Sequence, residues 1–348
     1  MGGELLFWCF AALTRFGRVA CCCRSWFDTM NEHDANSMTP TPPTYIRIAE
    51  HVSRALSEHA QVVALESTVI AHGLPQPINL ETALACEAAV RDHGATPATI
   101  GIIDGVPTIG MNEDEIKLFA ARHAPDGSSI EKVGLNNLAA VLMRRGWGAT
   151  TVAASLRIAH VAGIRVFSTG GIGGVHRGAA ESFDVSADLT ALGNTALVCV
   201  CAGGKAILDL TKTVEYLETL GVPILGYRTD EFPAFYSRSS GLPVDAKVET
   251  PKEAAAIAEL HWRIGSSSAV LVGVPVPAEF EIGYEEVEDA IDQAMTTVTQ
   301  QGIRGKALTP FLLSELERLT GGKTLGANRA LLVNNASIAA SIAVNLSR

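Results

Sequence analysis

Ala196-Leu-Val-Cys-Val-Cys-Ala202, followed by Gly203-Gly204-Lys205, reads as a buried strand that breaks on two glycines and presents a lysine. An uninterrupted apolar run of this length fits a strand covered on both faces, and Gly-Gly lets the chain turn tightly into a following helix. The lysine then stands at the carboxyl edge of a sheet, where open α/β folds place ligands. An amine held against apolar walls can shed its proton at neutral pH and attack a carbonyl or a masked sugar aldehyde. The competing reading is a helix-start lysine in water.

Strand and helix signals alternate on both sides of this unit. Ile46 to Leu56 is amphipathic, and Gln61 to Leu65 is a short buried strand ending at Glu66. Asn79 is expected to cap a helix from Leu80 to about Asp92. Strands follow at Thr99 to Asp104 and Val106 to Gly110, with helices after Asn112, from Leu135 to Arg145 and from Thr151 to Ala162. Arg165 to Thr169, Pro223 to Tyr227 and Ala269 to Gly273 read as strands. A helix runs from the Lys205 unit to Leu220, and the tail is helical at Tyr284 to Gln301 and Pro310 to Leu319. This order predicts an α/β fold, a single large α/β/α domain over residues 46–348 with a mostly parallel central sheet.

Composition bounds the partners. Hydrophobic residues make up 47% of the 348 and charged residues 18%, the profile of a packed enzyme rather than a disordered chain. The net charge of −10 and the lack of a basic run argue against nucleic acid as partner. The seven cysteines form neither a Cys-x-x-Cys pair nor a disulfide framework, which points to a reducing, cytoplasmic compartment. Residues 1–45 read as a disordered extension. Leu5 to Leu13 is too short to span a bilayer, so no membrane partner is expected. Arg15, Arg18, Arg24 and the triplet Cys21-Cys22-Cys23 leave organelle targeting, a poor secretory signal and an upstream start all open.

Four clusters carry possible chemistry. In Glu66-Ser-Thr-Val-Ile-Ala-His72-Gly-Leu-Pro75-Gln-Pro77 the glutamate sits where a buried strand ends. A half-buried carboxyl can hold a proton near pH 7, as a general acid must, although a capping or salt-bridged glutamate fits the same position. In Ser168-Thr-Gly-Gly-Ile-Gly-Gly-Val-His176-Arg177 the glycines are expected to offer backbone N–H groups, with Thr169 at one end and His176 at the other, to a phosphate. A tight turn is the alternative. It is no dinucleotide fingerprint, since His176 stands where the third glycine belongs, and Lys205 is no P-loop lysine, since Ala206 replaces Ser or Thr. Asp184, Ser186 and Asp188 alternate along an apparently extended segment, a spacing that suits either a hard divalent ion or an Asp-capped turn. Asn328 and Asn335 lie two helical turns apart and could share a face.

Ala64 to Pro77, Ser168 to Arg177, Phe183 to Leu189, Cys201 to Asp209, Tyr227 to Tyr236, Thr309 to Leu313 and Ala327-Asn328 together resemble the pseudouridine-5′-phosphate glycosidases, the indigoidine synthase A-like family, in order across residues 46–348. The resemblance implies an enzyme of the carbon–oxygen lyase class with glycosidase activity. It would reversibly cleave the C–C glycosidic bond of pseudouridine 5′-phosphate to uracil and ribose 5-phosphate. It also implies a homotrimer and a Mn²⁺ cofactor. By position Lys205 matches the nucleophile, Glu66 the proton donor and Asp184 the Mn²⁺ ligand. Lys132, Val152, Ser186, Ala187 and Asp188 match substrate contacts, and Asn328 resembles a further one. Another lysine-dependent sugar-phosphate lyase, or an inactive sugar-phosphate-binding relative, would carry the same residues.

Overall fold

The computed structural model describes residues 45–303 and 308–347. The extension expected at the N-terminus lies, apart from Tyr45, outside the described residues. These described residues form one compact unit. Eleven strands make its sheet: β1 (Arg47–Ile48), β2 (Val62–Leu65), β3 (Thr96–Ile103), β4 (Val106–Ile109), β5 (Glu131–Val133), β6 (Gly148–Thr150), β7 (Val166–Ser168), β8 (Val198–Cys201), β9 (Ile224–Tyr227), β10 (Ala246–Val248) and β11 (Val270–Gly273). Their order is β1-β4-β3-β2-β7-β8-β11-β9-β10, with β6 joining β3 to β5. Every pairing is parallel except β3 with β4 and β3 with β6. The expected α/β/α architecture is present.

Strands of three or four apolar residues suffice because helices cover both faces. Side chains alternate between two cores: Val63, Leu65, Val198, Val200, Val270 and Val272 enter one, and Ala64, Cys199, Cys201 and Leu271 the other. The first core is closed by the helices Ile78–Asp92 and Lys323–Ala343, the second by Val152–Val161 and Ala187–Gly193. The two strand cysteines share a face and are fully buried, as a period of two requires.

Register places the chemistry. Leu65 pairs with Ser168, and Ser168 with Val200, so β2, β7 and β8 end level with one another. Glu66, Thr169 and the segment leading to Lys205 therefore leave the sheet side by side at its carboxyl edge.

Three local expectations are corrected. The helix after β8 begins at Leu210, capped by Asp209, whose carboxylate accepts from the Lys212 N–H at 3.0 Å. Lys205 is thus not a helix-start residue. It lies in an irregular segment bonded to the glycine loop, through Lys205 N–H to the Ile172 carbonyl at 3.1 Å and Asp209 N–H to the Val175 carbonyl at 2.9 Å. Asn79 is not a cap: the helix spans Ile78–Asp92, and the buried Asn79 amide donates to the carbonyls of Ile70 and Ala120. The helix expected over Leu135 to Arg145 is only Leu138–Met143. Before it, Gly134 N–H donates to the Asn137 side chain at 2.9 Å and closes a turn. β5 and β6, three residues each, are too short for any periodicity to mark.

Gly203 holds the turn out of β8. Its φ is +87°, and a Cβ there would run into the Pro233 carbonyl oxygen. Gly203→Ala is expected to cost about 3 kcal/mol or more, by backbone strain and overpacking together. Urea denaturation checks this, and an unchanged midpoint would contradict it.

Candidate active site

Glu66 directly follows β2 and is 8% exposed. The Thr169 hydroxyl, at the end of neighbouring β7, donates to its Oε1. Burial pushes the Glu66 carboxyl above the usual carboxylate range; Lys205 and the Thr169 hydroxyl pull it back, nearby Asp188 raises it again, and Lys132 lowers it. Burial wins, so Glu66 holds a proton more readily than an ordinary glutamate. Lys205, half-buried, is the largest of its charged neighbours. A capping role for Glu66 is excluded, because no α-helix starts there.

The glycine loop packs closely into the fold. Three of its N–H groups are committed there: Ile172 to the Gly203 carbonyl, Val175 to Thr213 Oγ1, and His176 to the Asp184 carbonyl. Gly173 N–H donates to Asp188 Oδ2 at 2.8 Å. A Cβ on Gly173 would come within 2.8 Å of that same oxygen. The glycine is needed for close approach. Arg177 turns away and pairs with Glu288 at 2.7 Å. His176 stays half-buried beside the site. Burial lowers its pKa against the pull of Asp184, and Lys205 and Lys132 lower it further.

Asp184, Ser186 and Asp188 do not line one side of an extended strand. Ser186 is the N-cap of the helix Ala187–Gly193, and its hydroxyl accepts from Asp188 N–H at 3.2 Å. Asp188 turns inward, 6% exposed, and its other oxygen accepts from Ala153 N–H at 2.9 Å. One carboxylate thereby ties the glycine loop to the start of the Val152–Val161 helix. Asp184 and Ala187 stay exposed.

Val152 is 1% exposed, with its side chain in the core, so only its backbone can meet a ligand. It is the first residue of its helix, where an α-helix leaves N–H donors unpaired. Lys132, on β5, is exposed, and its charge acts on Glu66, His72 and His176. The register of β5 on β6 pairs Lys132 with Ala149, three residues before Val152. Ser67 and Thr150 lock this arm to β2: Thr150 N–H donates to Ser67 Oγ at 2.9 Å.

Asn328 is half-buried and lines a cavity of about 280 Å³ with His72, Arg122, Tyr236, Ser314 and Thr324. Asn335, from the same helix, is fully buried and donates to the Thr169 carbonyl at 2.9 Å. Sequence reasoning passed over His72, whose buried Nε2 has no hydrogen-bond partner among the described residues. Its place in a π-helical turn, Val69–Gly73, directly after Glu66 was the available signal. Among the described residues no three His, Cys, Asp or Glu side chains gather as a metal cage. Asp184, one exposed carboxylate, has the donor chemistry of a hard ion that keeps most of its waters.

Linkage gives a stability consequence. A carboxyl whose pKa is raised on folding leaves the fold most stable below the unfolded value and weakens it as pH rises through the folded one. Glu66→Gln keeps the shape without the charge. The variant is expected to melt above the wild type at neutral pH, with a gap that widens from about pH 4.5 upward. Thermal melts from pH 4 to 8 check this, and a constant gap would count against a buried ionisable Glu66.

Comparison with known proteins agrees with this geometry. The family described as indigoidine synthase A like protein matches residues 51–345. A pseudouridine-5′-phosphate glycosidase of Caldanaerobacter subterraneus subsp. tengcongensis is 51% identical over 304 residues, covering 87% of this chain and 97% of the relative. One from Arabidopsis thaliana is 46% identical, covering 87% and 91%. Among solved structures, the prealnumycin C-glycosynthase in complex with ribulose 5-phosphate superposes with a TM-score of 0.80 at 39% identity, covering 88% of this chain and 98% of that one. An indigoidine synthase A-like protein from Thermotoga maritima gives 0.78 at 36%, covering 88% and 99%. Matched along nearly the whole of its described length, the chain belongs to the indigoidine synthase A like protein family.

Proposed function

We propose that this chain is an enzyme that reversibly converts pseudouridine 5′-phosphate and water to uracil and ribose 5-phosphate, through an imine on Lys205. One observation carries the reading. A half-buried lysine and a carboxyl whose pKa burial raises stand together where adjacent parallel strands end. Relatives that are pseudouridine-5′-phosphate glycosidases, and a structural neighbour that is a C-glycosynthase in complex with ribulose 5-phosphate, support it.

A C–C glycoside has no leaving oxygen, so the two-carboxylate scheme of ordinary glycosidases lacks a group to protonate. In the proposed path the Lys205 amine attacks C1′ as the C1′–O4′ bond breaks, and Glu66 gives its proton to O4′. Glu66 then takes the proton shed by the new C1′–N centre and delivers it to uracil C5. The C1′–C5 electron pair leaves with C5 while the nitrogen lone pair forms the imine. Water adds to the imine and returns ribose 5-phosphate and the free amine. Thr169 holds Glu66, Asp188 with Ser186 holds the glycine loop and the Val152 helix together, and His176 and Asn328 line the base end.

The phosphate is assigned to Lys132 and to the N–H groups at Val152 and Ala187, since the Ile172, Gly173, Val175 and His176 N–H groups of the glycine loop are already bonded. Its binding energy then supports the distortion needed at C1′. Asp184 would be the residue to hold Mn²⁺, which would supply positive charge and ordered waters. A homotrimeric, cytoplasmic enzyme completes the proposal. Among the described residues no helix is long and apolar enough to cross a membrane.

Incubation with ribose 5-phosphate, uracil and Mn²⁺ is expected to yield pseudouridine 5′-phosphate from wild type. Lys205→Ala should lose at least about 10³-fold while still folded. Product from neither protein would remove the activity, and turnover of ribose 5-phosphate to a product without uracil would favour another sugar-phosphate lyase. Asp184→Ala should abolish both Mn²⁺ activation and the bound-Mn²⁺ paramagnetic resonance signal. Activation equal to wild type would take the ion away from Asp184.

A further inference from the structure

Behind Glu66, between β2 and the Ile78–Asp92 helix, lies a partly open space of about 20 Å³. Most of its lining is apolar, but on one side stand Glu66, Thr82, Thr99, Ser168 and Thr169, with the Cys86 thiol beside them. One water needs about 10–15 Å³ and two to four polar partners, so the space is large enough for one and these side chains can supply the partners. Thr82 is 2% exposed, and its hydroxyl has no hydrogen-bond partner among the described residues. Such a group is rare in a native interior unless solvent meets it. Asn79, also in the lining, is already committed to Ile70, Ala120 and Leu80. Thr99 gives its proton to Glu87 at 2.7 Å and keeps lone pairs to accept with.

We propose that this cavity is a built site for one water, and that Thr82, acting through that water, is a positioning residue for the Glu66 carboxyl. The inference rests on the proton-shuttling role given to Glu66 above. A carboxyl that gives and then takes a proton changes from donor to acceptor within one turnover. A fixed donor such as an N–H suits only one of those states. Water and a hydroxyl can each donate or accept, so the pair holds Glu66 in place in both. The charged groups facing Glu66 are Lys205, Asp188 and Lys132. Glu87 stands behind Thr99, and burial pushes the Cys86 thiol up to about 12, so it adds no charge.

Thr82→Val removes the hydroxyl and keeps the shape. It is expected to lower kcat about tenfold with KM for ribose 5-phosphate nearly unchanged. The high-pH limb of kcat/KM, where Glu66 loses its proton, should move to higher pH because the carboxylate loses solvation. Thr82→Ser should restore both. A pH profile superimposable on wild type would overturn the proposal, even with a lowered melting temperature. A crystal of the unmodified protein should show an ordered water within hydrogen-bonding distance of Thr82 and Glu66. An empty cavity overturns the proposal whatever the variants do. A wild type that makes no product at all refutes the assigned reaction instead, and the water density then still decides the cavity.

Discussion

A carboxyl whose hold on its proton is strengthened by burial at the end of a strand is the constraint around which this fold is arranged. Glu66 can be 8% exposed only because β2 lies between β3 and β7 with helices on both faces. Its partners come from separate strands and helices: Thr169 from the end of β7, Lys205 from beyond β8, and Asp188 from the Ala187–Gly193 helix. A parallel sheet supplies this convergence, since every strand delivers its successor residues to the same edge. The cost is a buried ionisable group, tolerated where function needs it.

The glycine-rich segment serves the same end by an unexpected route. Its sequence looks like a phosphate loop, and four of its amides are bonded to Gly203, Asp188, Thr213 and Asp184. Those bonds fasten the loop against the segment carrying Lys205 and against the helix carrying Asp188. The glycines make room for this close packing.

Much of this was legible in the chain. The runs at β2, β7, β8, β9 and β11 are apolar and bounded by breakers, so the parallel sheet could be read. Glu66 and Lys205 could be found because each follows such a run. What escaped notice was partners far away in sequence. Asn335 donates to the Thr169 carbonyl, 166 residues earlier, and Asp188 accepts from Ala153, 35 residues earlier. Local pattern also misread Asp184 to Asp188 as extended, because a Ser N-cap followed by Ala-Asp carries too short a signal to declare a seven-residue helix. β5 and β6 escaped for the same reason of length.

The claim on which the rest stands is that Lys205 forms a covalent nitrogen–carbon bond to the sugar. Incubating the protein with ribose 5-phosphate, adding sodium borohydride and mapping the peptides by mass spectrometry tests it directly. The account predicts one reduced pentose-phosphate adduct per chain, on Lys205 alone and suppressed in Glu66→Gln. An unmodified Lys205, or adducts spread over surface lysines such as Lys117 and Lys252, would contradict it.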